Sequence, residues 1–341
     1  MQKHTYIHNE PLILESGDCL PRLEIAYHTA GRYDSTVNNV IWVCHALTAN
    51  SDPSDWWKGM VGEGKFYNPA EHFIICANII GSCYGTTGPL SVNPGGNEAY
   101  YNNFPLITIR DMVKVHEVLR LHLGIKHIHT LIGSSIGAFQ ALEWSIIQPD
   151  IFDYMIFIAS GCKVSPWFTA FNESQRAAIR TDRTFFSRQP DGGLQGMEVA
   201  RSIALLSYRS YSGYNSTQQE EDTDFIEAVK ASSYQRYQGE KLGRRFNAYS
   251  YYSLTRSIDS HNVGRGREGI KKALAQVKAY TLLIAISSDI LFPPEEMEFM
   301  HRHLLKSDYC CIHSAFGHDG FLIEYRQLQQ VIYEFYKNNQ L

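Results

Sequence analysis

Apolar residues along this chain cluster in short continuous runs separated by turn-forming residues. Residues 40–45, 73–79, 128–132 and 154–159 are rich in Val, Ile, Leu, Phe and Cys. That is the pattern of strands buried on both faces of a sheet. Residues 12–15 and 23–29 precede them and predict an edge hairpin. Residues 108–123 differ, with Ile109, Met112, Val113, His116 and Leu119 at helical spacing along one face. The alternation resumes over 272–341: a strand ending at Ile286, a helix over 294–305, a strand ending at Ser314 and a last helix over 322–337. Such repeating βα order predicts a mostly parallel sheet with helices on both faces. Between the two stretches, residues 164–271 are polar, rich in Arg, Ser, Tyr and Gln, and offer helical patterns but no convincing strand. The expected organisation is an α/β core built from 1–163 and 272–341, interrupted by an all-helical insertion over 164–271.

At 341 residues the chain suits one sizeable core with a smaller inserted unit. A net charge of −4 gives no reason to expect nucleic acid or an anionic membrane as partner. No run approaches 18 apolar residues, and Met1-Gln-Lys-His-Thr-Tyr6 lacks the apolar stretch of a secretory signal. A cytoplasmic location is the expectation. The seven cysteines are odd in number and lack metal-type Cys-x-x-Cys spacing, so reduced structural thiols are expected and no metal site.

The chemistry is carried by Gly133-x-Ser135-x-Gly137. An apolar strand precedes it, and a helical pattern follows until Gln148-Pro149-Asp150. Strand, sharp turn and helix in that order form a nucleophile elbow, with the serine hydroxyl exposed at the tip near a helix N-terminus. Two serines are adjacent, but only Ser135 has glycine at both −2 and +2, where a side chain would collide with the turn. Ser135 is the candidate nucleophile, and Ser134 occupies the variable position.

A serine needs a base, and the base an orienting acid. Behind an elbow the partners follow in the order Ser, Asp or Glu, His. The run 279–286 ends in Ser287-Ser288-Asp289, which makes Asp289 the candidate acid. The next strand leads to Gly317-His318-Asp319-Gly320, a glycine-flanked loop that makes His318 the candidate base. Acyl chemistry also needs an oxyanion hole. Its expected backbone donors are the N–H groups of Ile136, just after the nucleophile, and Leu47, in the loop after 40–45.

Longer strings carry a resemblance. His45-Ala-Leu-Thr48, Trp56-Trp57, Gly81-Ser-Cys-Tyr-Gly-Thr-Thr-Gly-Pro-Leu90 with Asn93-Pro94, Thr108-Ile-Arg-Asp-Met-Val113, Gln140-Ala-Leu-Glu-Trp144 and Gly317-His-Asp319 are similar to the homoserine O-acetyltransferase family of α/β-hydrolase-fold acyltransferases. Ser207-Tyr-Arg-Ser210 and Arg245-Phe-Asn-Ala-Tyr-Ser-Tyr251 in the insertion are similar too, so the resemblance spans about residues 23–322. The family's elbow usually reads Gly-Gly-Ser-Met-Gly-Gly, and Ser134, Ile136 and Ala138 depart from it. A β-branched Ile136 in place of Met predicts a reshaped acyl pocket.

The resemblance implies the α/β-hydrolase fold with the insertion as a lid. It implies acyl transfer from acetyl-CoA, a co-substrate, to the hydroxyl of L-homoserine through an acyl-Ser135 intermediate, a step of methionine biosynthesis. It further implies substrate recognition by Arg209 and Asp319, no tightly bound cofactor, and a homodimer packed through the lid. An amino-acid zwitterion in a dry site needs an opposite charge for each end. The competing reading has Arg209 solvated and Asp319 capping a helix. Arg244, Arg245, Arg265 and Arg267 are candidates for coenzyme A phosphates, although arginines on a polar insertion are ordinarily solvated. Rival functions are succinyl transfer, which needs a further cation near Ser135, ester or thioester hydrolysis, and an inactive binding protein on the same fold.

Overall fold

The computed structural model describes residues 1–221, 224, 226 and 229–339. Ten strands are found among them: β1 Gln2–His8, β2 Leu12–Ile13, β3 Cys19–Leu20, β4 Leu23–Ala30, β5 Val40–Cys44, β6 Phe73–Ala77, β7 Ile128–Ser134, β8 Phe152–Ile158, β9 Tyr280–Ile286 and β10 Ser307–Ile312. Eight form one sheet in the order β1-β4-β6-β5-β7-β8-β9-β10. Every pairing from β6 to β10 is parallel, while β4 runs antiparallel to both β1 and β6. This is the mostly parallel sheet that the βα alternation predicts.

The continuous apolar runs have a direct explanation in the core. Val40, Trp42 and Cys44 of β5 face one hydrophobic cluster, and Ile41 and Val43 face the other. Each strand must therefore be apolar at successive positions. After the four-residue helix α1 (Pro53–Trp56), helices α2 (Ile109–His122) and α3 (Ile136–Ile147) close the first cluster through Met112, Val113, Leu142 and Trp144. The second is closed by Leu328, Ile332 and Phe335 of the C-terminal helix Tyr325–Asn338. Helix α2 starts where Thr108 and Asp111 form a capping box, each side chain accepting from the other's backbone N–H.

The expected edge hairpin is corrected. Residues 23–30 pair with β1, in register from Gln2↔Thr29 to His8↔Leu23, whereas Leu12–Ile13 pairs with Cys19–Leu20 as a separate two-stranded ribbon. β1 is hidden in the sequence because it is an edge strand of exposed and half-buried polar residues. The predicted last helix also divides, into a short turn Gly320–Ile323 and the helix Tyr325–Asn338, with Glu324 leaving helical geometry between them.

Residues 164–271 carry α4 (Pro166–Thr181), α5 (Leu194–Tyr208), α6 (Tyr211–Gln218), α7 (Lys230–Gly243) and α8 (Ala248–Asp259), and the next short helix, Ile270–Leu274, spans the expected boundary. An antiparallel bridge, Lys163↔Asn262, sets the two ends of the segment side by side. No helix among the described residues is long and apolar enough to cross a membrane.

At Gly137 the core leaves no room for a side chain. A Cβ there would overlap the Cys44 carbonyl of β5, whereas Gly96 faces open space. Gly137→Ala is expected to lower the unfolding free energy by about 1–3 kcal/mol. Gly96→Ala should stay within about 0.5 kcal/mol. Urea unfolding of both variants checks this, and equal losses would contradict the close approach.

Candidate active site

The loops after β5, β7, β9 and β10 all emerge at the carboxyl end of the sheet, because these strands are mutually parallel. The elbow follows β7. Ser135 has φ 55° and ψ −128°, a left-handed backbone that side-chain-bearing residues rarely adopt. It is held there on both sides: its N–H donates to the Ile158 carbonyl at 3.0 Å, and its own carbonyl accepts from Ser160 Oγ at 2.8 Å. A Cβ on Gly133 would overlap the Gly137 carbonyl. Both glycines are thus required by contact, and Ser134, although adjacent, is buried in β7.

His318 comes to this serine from 183 residues away. Its Nε2 lies 2.9 Å from Ser135 Oγ, and its Nδ1 lies 2.7 Å from Asp289 Oδ2. The other Asp289 oxygen, Oδ1, accepts from the N–H groups of Leu291 and Phe292 at 2.8 and 3.1 Å. Asp289 and His318 are both buried. The loops carrying them are joined by Ser288, whose hydroxyl donates to the Ser314 carbonyl and accepts from the Gly317 N–H. A carboxylate at Nδ1 keeps the proton on that nitrogen and leaves the Nε2 lone pair facing Ser135. Burial by itself would lower the His318 pKa. The charge and hydrogen bond of Asp289, with a smaller contribution from Asp319, outweigh burial and raise it above the ordinary imidazole value.

Ile136 is the first residue of α3, so its N–H belongs to the first turn, which has no partner within the helix. Leu47 lies in the loop after β5 and lines the cavity above Ser135. The two segments are tied by Gln140: its Nε2 donates to the carbonyls of His45 at 3.3 Å and Ile136 at 3.1 Å, and its Oε1 meets His116 Nε2 at 2.8 Å. His45 accepts the Ile79 N–H at Nε2, leaving Nδ1 to donate to the Ala46 carbonyl. It therefore stays neutral, its pKa pushed down to about 4 by burial.

The cavity is lined by Ser135 and His318 together with Asp319, Arg201, Tyr208 and Arg245. The candidates sort unevenly. Asp319 lines it, but Arg209 does not: the Arg209 Nε sits 3.1 Å from Asp319 Oδ2, outside the lining. The guanidinium that reaches the cavity from α5 belongs to Arg201, 5.3 Å from the Tyr208 ring centre. Helical spacing was the available signal, since positions 201 and 208 are two turns apart and share a face. The side chain of Ile136 packs in the core rather than along the cavity. Arg265 and Arg267 are engaged by Glu15 and Glu143, while Arg245 donates to the Thr48 carbonyl and to the Tyr84 hydroxyl.

The α/β-hydrolase-fold family model matches residues 39–325. A homoserine O-acetyltransferase of Cyclobacterium marinum is 45% identical, over 99% of this chain and 96% of its own. This chain belongs to the homoserine O-acetyltransferase family. It is therefore an enzyme of the α/β-hydrolase fold. Among solved structures it is similar to the homoserine O-acetyltransferase of Bacillus anthracis, with a TM-score of 0.89, 21% identity and coverage of 98% and 97% of the two chains. It is also similar to esterase E22, with a TM-score of 0.86, 22% identity and coverage of 98% and 99%. At those identities the two likenesses speak for the fold alone.

The raised His318 pKa has a measurable sign. A base is lost when protonated, so any step needing neutral His318 should decline as pH falls, with a midpoint above about 6.5. Asp319→Asn removes one of the charges that raise the pKa and should move that midpoint to lower pH. A pH profile of Ser135 acylation checks both, and an upward move in the variant would contradict the electrostatics.

Proposed function

We propose that this enzyme transfers an acetyl group from acetyl-CoA to the hydroxyl of L-homoserine through an acyl-Ser135 intermediate. The observation that carries the reading is one cavity holding the chain Ser135–His318–Asp289 together with a guanidinium, Arg201, and a carboxylate, Asp319. A serine activated in this way forms and breaks esters. The two fixed charges complement the carboxylate and ammonium of an amino acid. Its homoserine O-acetyltransferase relatives, 45% and 40% identical, support the same acceptor and acyl group.

In the first half-reaction Ser135 Oγ passes its proton to His318 Nε2 and attacks the thioester carbon. The oxyanion is stabilised by the N–H groups of Leu47 and Ile136. The C–S bond breaks, and the thiol leaves with the proton held by His318. In the second, His318 takes the proton of the homoserine hydroxyl, whose oxygen attacks the acyl carbon. Ser135 leaves and recovers the proton from His318. Asp289 holds the tautomer and supports the imidazolium in both. Asp319 Oδ2 rests on Arg209, leaving Oδ1 for the substrate ammonium, and Arg201 takes the carboxylate.

Within this reading residues 164–271 act as a lid that keeps water from the acyl-enzyme. Tyr208 of α5 supports it, its ring 5.7 Å from that of His318. A homodimer packed through the lid, whose helices leave Val199, Leu206 and Tyr211 exposed, a cytoplasmic location and a place in methionine biosynthesis complete the proposal. One observation favours a second donor: Arg245 adds a second guanidinium to the cavity, as a succinyl carboxylate would require.

Free thiol is followed with acetyl-CoA or succinyl-CoA, with and without L-homoserine. Release that rises with homoserine and yields the O-acetyl product is expected, with succinyl-CoA the poorer donor. Release independent of any amino acid would replace transfer by hydrolysis. Ser135→Ala should abolish the acyl adduct seen by intact mass, and Ser134→Ala should keep it; the reverse would overturn the nucleophile.

A further inference from the structure

The loop after β5 opens with a β-turn. The Ala49 N–H donates to the Ala46 carbonyl at 3.1 Å, which places Leu47 and Thr48 at the centre of the turn. The bond of such a turn leaves the N–H of its second residue unused, and here that residue is Leu47. Among the described residues the Leu47 N–H meets no hydrogen-bond partner, and Leu47 lines the cavity above Ser135. The turn is pinned on either side to the segment that follows β6. Before it, His45 Nε2 accepts the Ile79 N–H at 3.0 Å; behind it, the Ser51 N–H donates to Asn78 Oδ1 at 2.8 Å.

The direction of the Leu47 N–H is set by one peptide plane. The Ala46–Leu47 bond is trans, so the Ala46 carbonyl and the Leu47 N–H lie in that plane and point opposite ways. Whatever fixes the carbonyl therefore aims the amide. Two donors fix it: the Ala49 N–H from within the turn, and His45 Nδ1 at 2.9 Å from the end of β5. The His45 ring is fully buried and held at its other nitrogen by Ile79, so it has no freedom to swing. Because Nε2 accepts from a backbone N–H, the ring proton must sit on Nδ1. The Ile79 amide thus selects the tautomer that donates to Ala46.

Resting on the acyl-serine reading above, we propose that His45 is a positioning residue for the oxyanion hole: its Nδ1–H holds the Ala46 carbonyl so that the Leu47 N–H stays aimed at the acyl oxygen. Ala46 and Leu47 line the cavity, whereas His45 does not, so the ring acts without touching substrate. It also exchanges no proton in either half-reaction. Its contribution is made before the reaction begins. An amide free to turn would have to be reoriented as the oxyanion forms, and a donor fixed in advance removes that reorganisation from the barrier.

The test uses the full-length enzyme and p-nitrophenyl acetate, whose attack by Ser135 needs the oxyanion hole but neither coenzyme A nor homoserine. Failure of the acetyl-CoA and homoserine reading is thereby separated from failure of this one. Asn bears its N–H on Cγ, where His45 bears Nδ1, while Gln carries its carboxamide one carbon further, toward the Ile79 N–H. H45Q is expected to slow Ser135 acylation about tenfold to a hundredfold, somewhat less than outright loss of an oxyanion donor. Its KM, and the midpoint of the acid limb that reports His318, should keep wild-type values. Affinity for phenylboronic acid, whose tetrahedral adduct on Ser135 places an oxygen in the hole, should fall with the rate. H45N should recover most of both. In the wild-type enzyme, 15N NMR should show His45 as the neutral Nδ1–H form, which tests the donor even if neither variant folds. The Nε2–H form would overturn the proposal. So would an H45Q enzyme that acylates at the wild-type rate, or an H45N enzyme as slow as H45Q.

Discussion

The active-site edge depends on one steric constraint, the contact of the elbow with its neighbouring strand. Gly133 faces the Gly137 carbonyl, Gly137 faces the Cys44 carbonyl, and neither position has space for a Cβ. The first turn of α3 therefore lies directly on the end of β5, where the loop bearing Leu47 begins. Ser135 is forced into a left-handed conformation, and its hydroxyl is presented above the sheet rather than within the helix. Removing the two side chains thus sets the position of the nucleophile and of both expected oxyanion donors together.

Most of the core was legible because buried parallel strands leave a strong trace. β5 and β6 stand close to their expected limits, and α2 starts at the capping box of Thr108 and Asp111. The elbow, Asp289 and His318 were legible as an ordered set because each follows a strand and needs a distinctive local residue pattern. The edge strand Gln2–His8 was not, since its partners lie on one side and its polar residues meet solvent. The cavity wall was legible only in part. Arg209 stood in a recognisable string, but which guanidinium of α5 reaches the cavity depends on the rotation of the helix about its axis. Arg201 is half-buried, on the face of the helix that also carries Met197, Ala204 and Tyr208.

The helical segment meets the core through two seams of different character. On the His318 side the contacts are backbone against glycine, with hydroxyl and ion-pair links that leave little slack. Elsewhere the links are separate side-chain pairs: Arg245 on the Thr48 carbonyl and the Tyr84 hydroxyl, Asn102 on the Phe185 carbonyl, Arg188 with Glu98, and Arg265 and Arg267 with Glu15 and Glu143. Motion of the segment that spares the His318 loop would have to part the second seam first. The segment belongs to the site's construction on one side and covers it on the other.

Gln140 has a consequence of a different kind. Its carboxamide spans the His45 and Ile136 carbonyls, with His116 fixing which end is nitrogen. Both bonds leave the single Nε2 nitrogen, so the loop after β5 and the first turn of α3 share one donor. Neither carbonyl can turn away without giving up its hydrogen bond in a buried site. The two segments that carry the expected oxyanion donors are thereby oriented by one common point.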